Sequence, residues 1–468
     1  MTGQDESEAS LTTAPSVPVH PVKRWLKDVV GLDWAIIFTV LARVWQSAAG
    51  LVTIALIAHL LSPAEQGYYY TFFSLVALQV VFELGFSFVI QQMASHESAA
   101  LKISSDYKIH GDPVAHARLA SVLQKSVRWY SIAAGFLGLF LISAGLYFFS
   151  NHQYGSSVVN WKAPWCCVAL AATLTFQIDP VLAFLEGCGY VAKVARLRLA
   201  QAAVGSLLAW SALITHHGLF APAMMIVGTA STAIVWLYGK RTLLLGLLRH
   251  NPDEHRIEWA KEVWPFQWKI AVSWISGYFI FQLFNPVVFA YRGAVMAGQM
   301  GMSLNIATAL QTVAVAWVNT KSAPFGTMIA RKQYGQLDHA FFRSVKQALL
   351  VCMLGIVTIM TGILWLNHRE IPFAHRLLSP LPVGLLLTAV AVNIVVFSEA
   401  LYLRAHKQEK FLLNSILTAC FVGASTVLFG RIYGPVGIIT GYLIVVVVIS
   451  LGQGTYTFLK YRRIWHAE

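Results

Sequence analysis

Residues 64–79 read AEQGYYYTFFSLVALQ, and residues 297–311 read AGQMGMSLNIATALQ. Both open with Ala-x-Gln and close with Ala-Leu-Gln, at Ala77–Gln79 and Ala309–Gln311. The offset is 233 residues at the start and 232 at the end, close to half of the 468-residue chain. Each copy enters a long apolar run, so the repeat predicts two like halves built of membrane-spanning helices.

The rest of the chain agrees. It is 57% hydrophobic and 12% charged, with a mean hydropathy of +0.61, whereas soluble domains carry roughly 25% charged residues. That excludes a water-soluble enzyme of this length. A window of about 19 residues predicts twelve spans, near 34–60, 67–92, 127–149, 164–186, 195–214, 219–239, 265–290, 299–321, 347–367, 382–403, 411–430 and 435–459. Each copy of the repeat falls on the second span of its six-span half. Six being even, the halves point the same way and are related by an axis along the membrane normal.

The net charge of +13 would suit nucleic acid in a soluble protein, but here it tracks topology. With the amino terminus inside, 27 of the 34 Lys and Arg fall on inside segments and 5 on outside ones, leaving Arg43 and Lys269 within spans. This positive-inside asymmetry places both termini in the cytoplasm. The expected organisation is a cytoplasmic tail at 1–33, a six-helix lobe at 34–239, a cytoplasmic linker at 240–264, a second lobe at 265–459 and a tail at 460–468. Within the first tail, Pro21–Val30 mixes Lys23, Arg24 and Lys27 with apolar residues. That suits either a helix lying on the membrane surface or a plain basic flank. The five cysteines offer neither a disulfide framework nor a zinc pattern. There is no GxxxxGK[ST] phosphate loop, so ATP hydrolysis, a cofactor and a metal are not expected.

The stretch Ala58–Ala94, AHLLSPAEQGYYYTFFSLVALQVVFELGFSFVIQQMA, resembles the opening helices of the polysaccharide-exporter, O-antigen-flippase-like family. That family shares a superfamily with the multidrug and toxic-compound extrusion (MATE) transporters. The pattern is a Leu-Leu-x-Pro-x-x-x-Gly turn, here Leu60 to Gly67, then an aromatic helix and an acidic-Leu-Gly step, here Glu83-Leu84-Gly85. Leu185–Leu199, with Glu186-Gly187 before a basic helix start, is similar to its fourth-to-fifth connection. Two positions depart: the usual aspartate is Glu83, and Gln91-Gln92 stand where a basic residue is common. The resemblance implies an all-α integral membrane protein of the bacterial inner membrane. It implies alternating access between two lobes that flips a polyprenyl-diphosphate-linked oligosaccharide to the outer leaflet during cell-surface polysaccharide synthesis. Its partners would be the lipid-linked glycan, membrane lipids, and a polysaccharide polymerase and glycosyltransferases; nucleic acid is not among them.

Charged groups within spans cost a few kcal/mol each if they face lipid, so they direct attention to the interior. Arg43 with Gln46, and Lys269, are candidates for substrate binding, because a guanidinium fork holds two phosphate oxygens at once. Gln79, Asn305 and Gln311 either hydrogen-bond sugars or join helices. Glu83, Asp179 and Glu399 are candidates for ion coupling or gating. Plainer readings stand beside these: snorkelling for Lys269, a water-exposed helix end for Glu399, and a Pro180 kink for Asp179. Arg43 and Glu83 lie equidistant from Pro63, so a structural ion pair competes with a phosphate-binding Arg43. Asn285-Pro286 predicts a break in span 7. The competing functions are a drug or metabolite antiporter of the same fold and a membrane glycosyltransferase or ligase. The second lacks outside loops able to present catalytic acids.

Overall fold

The computed structural model describes residues 34–104, 108–152, 159–252, 255–406 and 410–467. The segment Pro21–Val30 lies outside the described residues. Among them, nine helices are long and apolar enough to cross a membrane, and the bent pair Pro63–Glu83 with Phe86–Ser98 makes ten. Two of these, Lys162–Ile214 and Leu412–His466, run 53 and 55 residues, over twice the ~20 that one crossing takes. Each contains a glycine with positive φ, Gly189 at 88° and Gly434 at 66°, where helical geometry is lost. Each is therefore two crossings, and the count reaches the expected twelve.

The spans are 1 (Trp34–Leu60), 2 (Pro63–Glu83 with Phe86–Ser98), 3 (Pro113–Asn151), 4 (Lys162–Leu185), 5 (Val191–Ile214) and 6 (Ala221–Tyr238). The second half holds 7 (Trp264–Phe281 with Phe284–Arg292), 8 (Ala294–Asn319), 9 (Tyr334–His368) and 10 (Pro380–Ala405). Spans 11 and 12 share Leu412–Val445 and part at Gly434, span 12 continuing to Ala467. The packing repeats with a six-span offset. Span 1 lies on span 5 as span 7 lies on span 11, and span 3 on span 4 as span 9 on span 10. This is a two-lobe bundle with internal twofold symmetry. Below, the terminal end is where span 1 begins and span 12 stops; the far end is opposite.

The sequence repeat marks the seam between the lobes. Span 2 packs on span 8 with backbones in close approach: a Cβ on Gly67 would sit 1.9 Å from the Ala294 carbonyl oxygen, and one on Gly301 2.4 Å from Tyr70 Cβ. Both repeated glutamines donate to the turn at His375–Arg376, Gln66 from the other lobe and Gln299 from the same one. Gln66 Nε2 donates to the carbonyls of Gly298 (2.8 Å) and Arg376 (3.0 Å), and Gln299 Nε2 donates to that of His375 (3.0 Å). Arg376 in turn donates to the Leu61 carbonyl at 2.6 Å. Tyr68 meets Phe289 edge-on at 4.9 Å, so the far end is sealed by aromatic packing as well.

Span 2 bends by 47° at the acidic-Leu-Gly step. Leu84 and Gly85 both take left-handed backbone conformations, φ 51° and 69°, and Ile270 of span 7 fills the space where a Gly85 Cβ would be. A side chain at 85 adds left-handed strain to this clash, together about 1–3 kcal/mol. Gly85→Val should lower the thermal midpoint of the purified protein, whereas Gly50→Ala, where a Cβ meets nothing within 4 Å, should not.

The segment joining the lobes is docked on the extension of span 3. Gln124 Nε2 donates to the carbonyls of Leu247, Leu248 and His250, and Lys125 donates to that of Ile257. Arg118 bridges Glu97 at 2.9 Å and Glu262 at 2.6 Å. The Arg118 guanidinium, donating to it, holds the Glu262 carboxyl below the usual carboxylate range. A depressed carboxylate contributes stability above its unfolded pKa and loses it as pH falls through the folded value. The Arg118–Glu262 bridge should therefore persist through mild acid and release only below the ordinary glutamate range. The mobility of a label at His255 would follow it, and Arg118→Ala should free that label at neutral pH.

Candidate functional site

Between the lobes lies a cavity of about 1010 Å3, lined by spans 1, 2, 5 and 6 of one half and 7, 8, 10 and 12 of the other. One face of span 1 supplies Arg43, Gln46, Gly50, Thr53 and Ile57, at helical spacing. That helix is held by two tryptophans: Trp45 Nε1 donates to Ser206 Oγ at 3.0 Å and Trp210 Nε1 to Thr53 Oγ1 at 2.9 Å. Span 8 adds a polar stripe of Asn305, Thr308, Gln311, Thr312 and Asn319. Span 7 is broken at Gln282–Leu283, just before Asn285-Pro286, and Gln282 and Asn285 reach the cavity wall there. Asn285 Nδ2 donates across the lobes to Ser74 Oγ at 3.2 Å.

The charge on this wall is one-sided. Arg43 and Arg404 line it, and no Asp or Glu does among the described residues. Both arginines are exposed, as is Asn319, all towards the terminal end, while the far end is closed by the span 2–span 8 seam. The cavity thus forms a well entered from the terminal end, cationic near its mouth and walled by amides and aromatic rings deeper in. Arg43 sits roughly 14 Å along its helix from Trp34, at ~1.5 Å per residue.

Of the residues singled out in the sequence, Arg43, Gln46, Asn305 and Gln311 meet here. Gln79, Lys269, Glu83, Asp179 and Glu399 do not line the cavity. Gln79 ends the 3-10 turn Ala77–Gln79 of span 2, and Lys269 is exposed beside the Trp268 ring. Glu83 stands at the span 2 break, within electrostatic reach of Asp179 and Tyr130. Glu399 is 4% exposed; its Oε1 accepts from Thr455 Oγ1 at 2.8 Å, and its Oε2 has no partner among the described residues. Arg43 and Glu83 make no ion pair there. Their equal distance from Pro63 does not bring them together, because span 1 packs on span 5 while span 2 runs along span 8.

Sequence reading missed Gln201, Gln282 and Arg404 as wall residues. Arg404 had been counted among the topological charges at a helix end. Gln282 lay within reach of a signal, since the span 7 break was legible three residues on. The polar stripe on span 8 was readable at three- and four-residue spacing, though only two of its members were picked out.

No protein-family model matches the sequence, and none of the curated proteins compared with it does. Solved structures do share the fold. A lipid II flippase, MurJ, in an inward closed conformation, superposes with a TM-score of 0.59 at 14% identity, over 92% of this chain and 90% of its own. An inward-facing multidrug resistance MATE transporter of the MOP superfamily gives 0.54 at 15%, over 89% and 99%. A MOP superfamily transporter from Pyrococcus furiosus gives 0.52 at 15%, over 96% and 99%. The chain therefore has the two-lobe, twelve-span fold of these transporters, as the resemblance of Ala58–Ala94 implied.

Proposed function

We propose that this protein is a secondary transporter that flips an anionic lipid-linked substrate, a polyprenyl-diphosphate-linked oligosaccharide, across a bacterial inner membrane. The observation that carries this reading is a cavity wall that holds Arg43 well inside a span and, among the described residues, no carboxylate. Such a wall attracts a diphosphate and repels the organic cations that an acidic cavity would collect. Arg43 on one lobe and Arg404 on the other grip the phosphates, and Gln46, Asn305 and Gln311 meet sugar hydroxyls. The lipid tail stays in the bilayer while the headgroup crosses. The fold shared with a lipid II flippase supports the reading.

Glu83, Asp179 and Glu399, set off the cavity, serve coupling or gating, and Gln79 and Lys269 would meet substrate only in another conformation. The lobes fall at 34–239 and 265–459, with both termini cytoplasmic. Reporters fused after Glu468 or within 93–126 should then report a cytoplasmic location, and one within 150–163 an external one. Any one of the three on the wrong side would overturn the twelve-span topology. Translocation should proceed in liposomes without ATP, and a substrate-stimulated ATPase in the purified chain would overturn the secondary-transport reading.

A further inference from the structure

The blind end of the cavity differs from its mouth. Tyr69, Tyr70, Phe73 and Phe284 form its wall with Ser74 and Asn285, and no charged side chain stands among them. Two polar atoms there are orphaned: the Tyr70 hydroxyl and Asn285 Oδ1 are buried and lack hydrogen-bond partners among the described residues. Their side chains are 4% and 7% exposed. A buried donor or acceptor left unpaired is destabilising, so a pair retained at the end of a cavity points to a ligand that supplies the missing partners. The two are complementary, since a phenol can donate and an amide oxygen accepts. They also belong to opposite lobes, Tyr70 to span 2 and Asn285 to span 7. A sugar hydroxyl accepts from one and donates to the other, and aromatic rings suit the apolar face of a pyranose.

Resting on the anionic-substrate reading above, we propose that this blind end is a sugar subsite. The headgroup enters sugar-first, its first sugar lodged between Tyr70 and Asn285 with the diphosphate left at Arg43. The sugar hydroxyl then bridges the lobes at the sealed end, so the subsite selects substrates that carry a glycan over the bare carrier lipid.

The test measures binding to the purified full-length chain in nanodiscs, with two probes: farnesyl diphosphate and farnesyl-diphosphate-linked N-acetylglucosamine. The sugar probe should bind the wild type about tenfold or more tighter than the bare diphosphate, as two added hydrogen bonds imply. Tyr70→Phe should cut that increment several-fold, leave bare-diphosphate affinity unchanged, and hold or raise the thermal midpoint, because it deletes an unpaired group. Asn285→Leu is the independent second variant and should also cut the increment. Equal binding of both probes to the wild type, or an increment undiminished in both variants, overturns the subsite. Arg43→Gln separates the underlying reading: it should weaken both probes alike. If it weakens neither, the anionic-substrate reading fails, while the sugar increment and its response to Tyr70→Phe still judge the subsite.

Discussion

Arg43→Ala should abolish most transport while leaving the protein folded and inserted, and adding Glu83→Ala should not restore it. Arg43 is exposed in the cavity and makes no ion pair with Glu83 among the described residues, so its removal strands no buried partner. What is lost is a charge-assisted, bidentate contact to phosphate, worth roughly 1.5–3 kcal/mol. That corresponds to about a 10- to 150-fold fall in turnover or affinity. Arg43→Lys keeps the charge but not the planar fork, so it should fall between wild type and alanine. Initial flipping rates in proteoliposomes, together with thermal midpoints, check all four proteins. A double mutant that regains transport would mean that Arg43 serves only to neutralise Glu83.

Gly67→Val should be still more disruptive. The Cβ it adds would stand 1.9 Å from the Ala294 carbonyl oxygen, a backbone atom that no side-chain rotation can move aside. Spans 2 and 8 would have to separate by more than an ångström, losing the Gln66 bonds to Gly298 and Arg376. Overpacking of this kind costs about 1–3 kcal/mol or more, and here it is directed against one conformation, the one with the far end sealed. A cycle that needs both ends to close in turn would stall. Thr308→Cys, exposed in the cavity wall and placed in a chain whose five native cysteines are replaced by serine, should resist an impermeant maleimide applied from the far end when Gly67 is kept and react in the Gly67→Val background. Continued protection would show that the seam is not the seal.

The architecture was largely legible because membrane burial writes itself as long apolar runs, and because the repeat carried its function in plain view. The Ala-x-Gln openings at Ala64 and Ala297 proved to be the seam, where glycines admit backbones and Gln66 donates to a carbonyl of the opposing lobe. The site was legible only in part. Arg43 and Gln46 stood out because polar groups in an apolar helix need a reason. Arg404 did not, since a basic residue at a helix end is what topology alone provides. The expected Arg43–Glu83 neighbourhood failed for a related cause. Depth along a helix can be counted from sequence, but the rotation and partner of each helix are set by packing, and span 1 found span 5. The left-handed step at Leu84–Gly85 was visible as a motif without its conformation.

A cationic well with no carboxylate among the described residues should move an anionic lipid-linked sugar without ATP. The most direct test is a reconstituted assay with purified protein in liposomes carrying a labelled short-chain polyprenyl-diphosphate sugar, followed by its accessibility to an impermeant reagent outside. Protein-dependent exchange between leaflets is expected in the absence of nucleotide, with its loss in Arg43→Ala. No exchange of that lipid in liposomes that instead take up an organic cation against a proton or sodium gradient would contradict it.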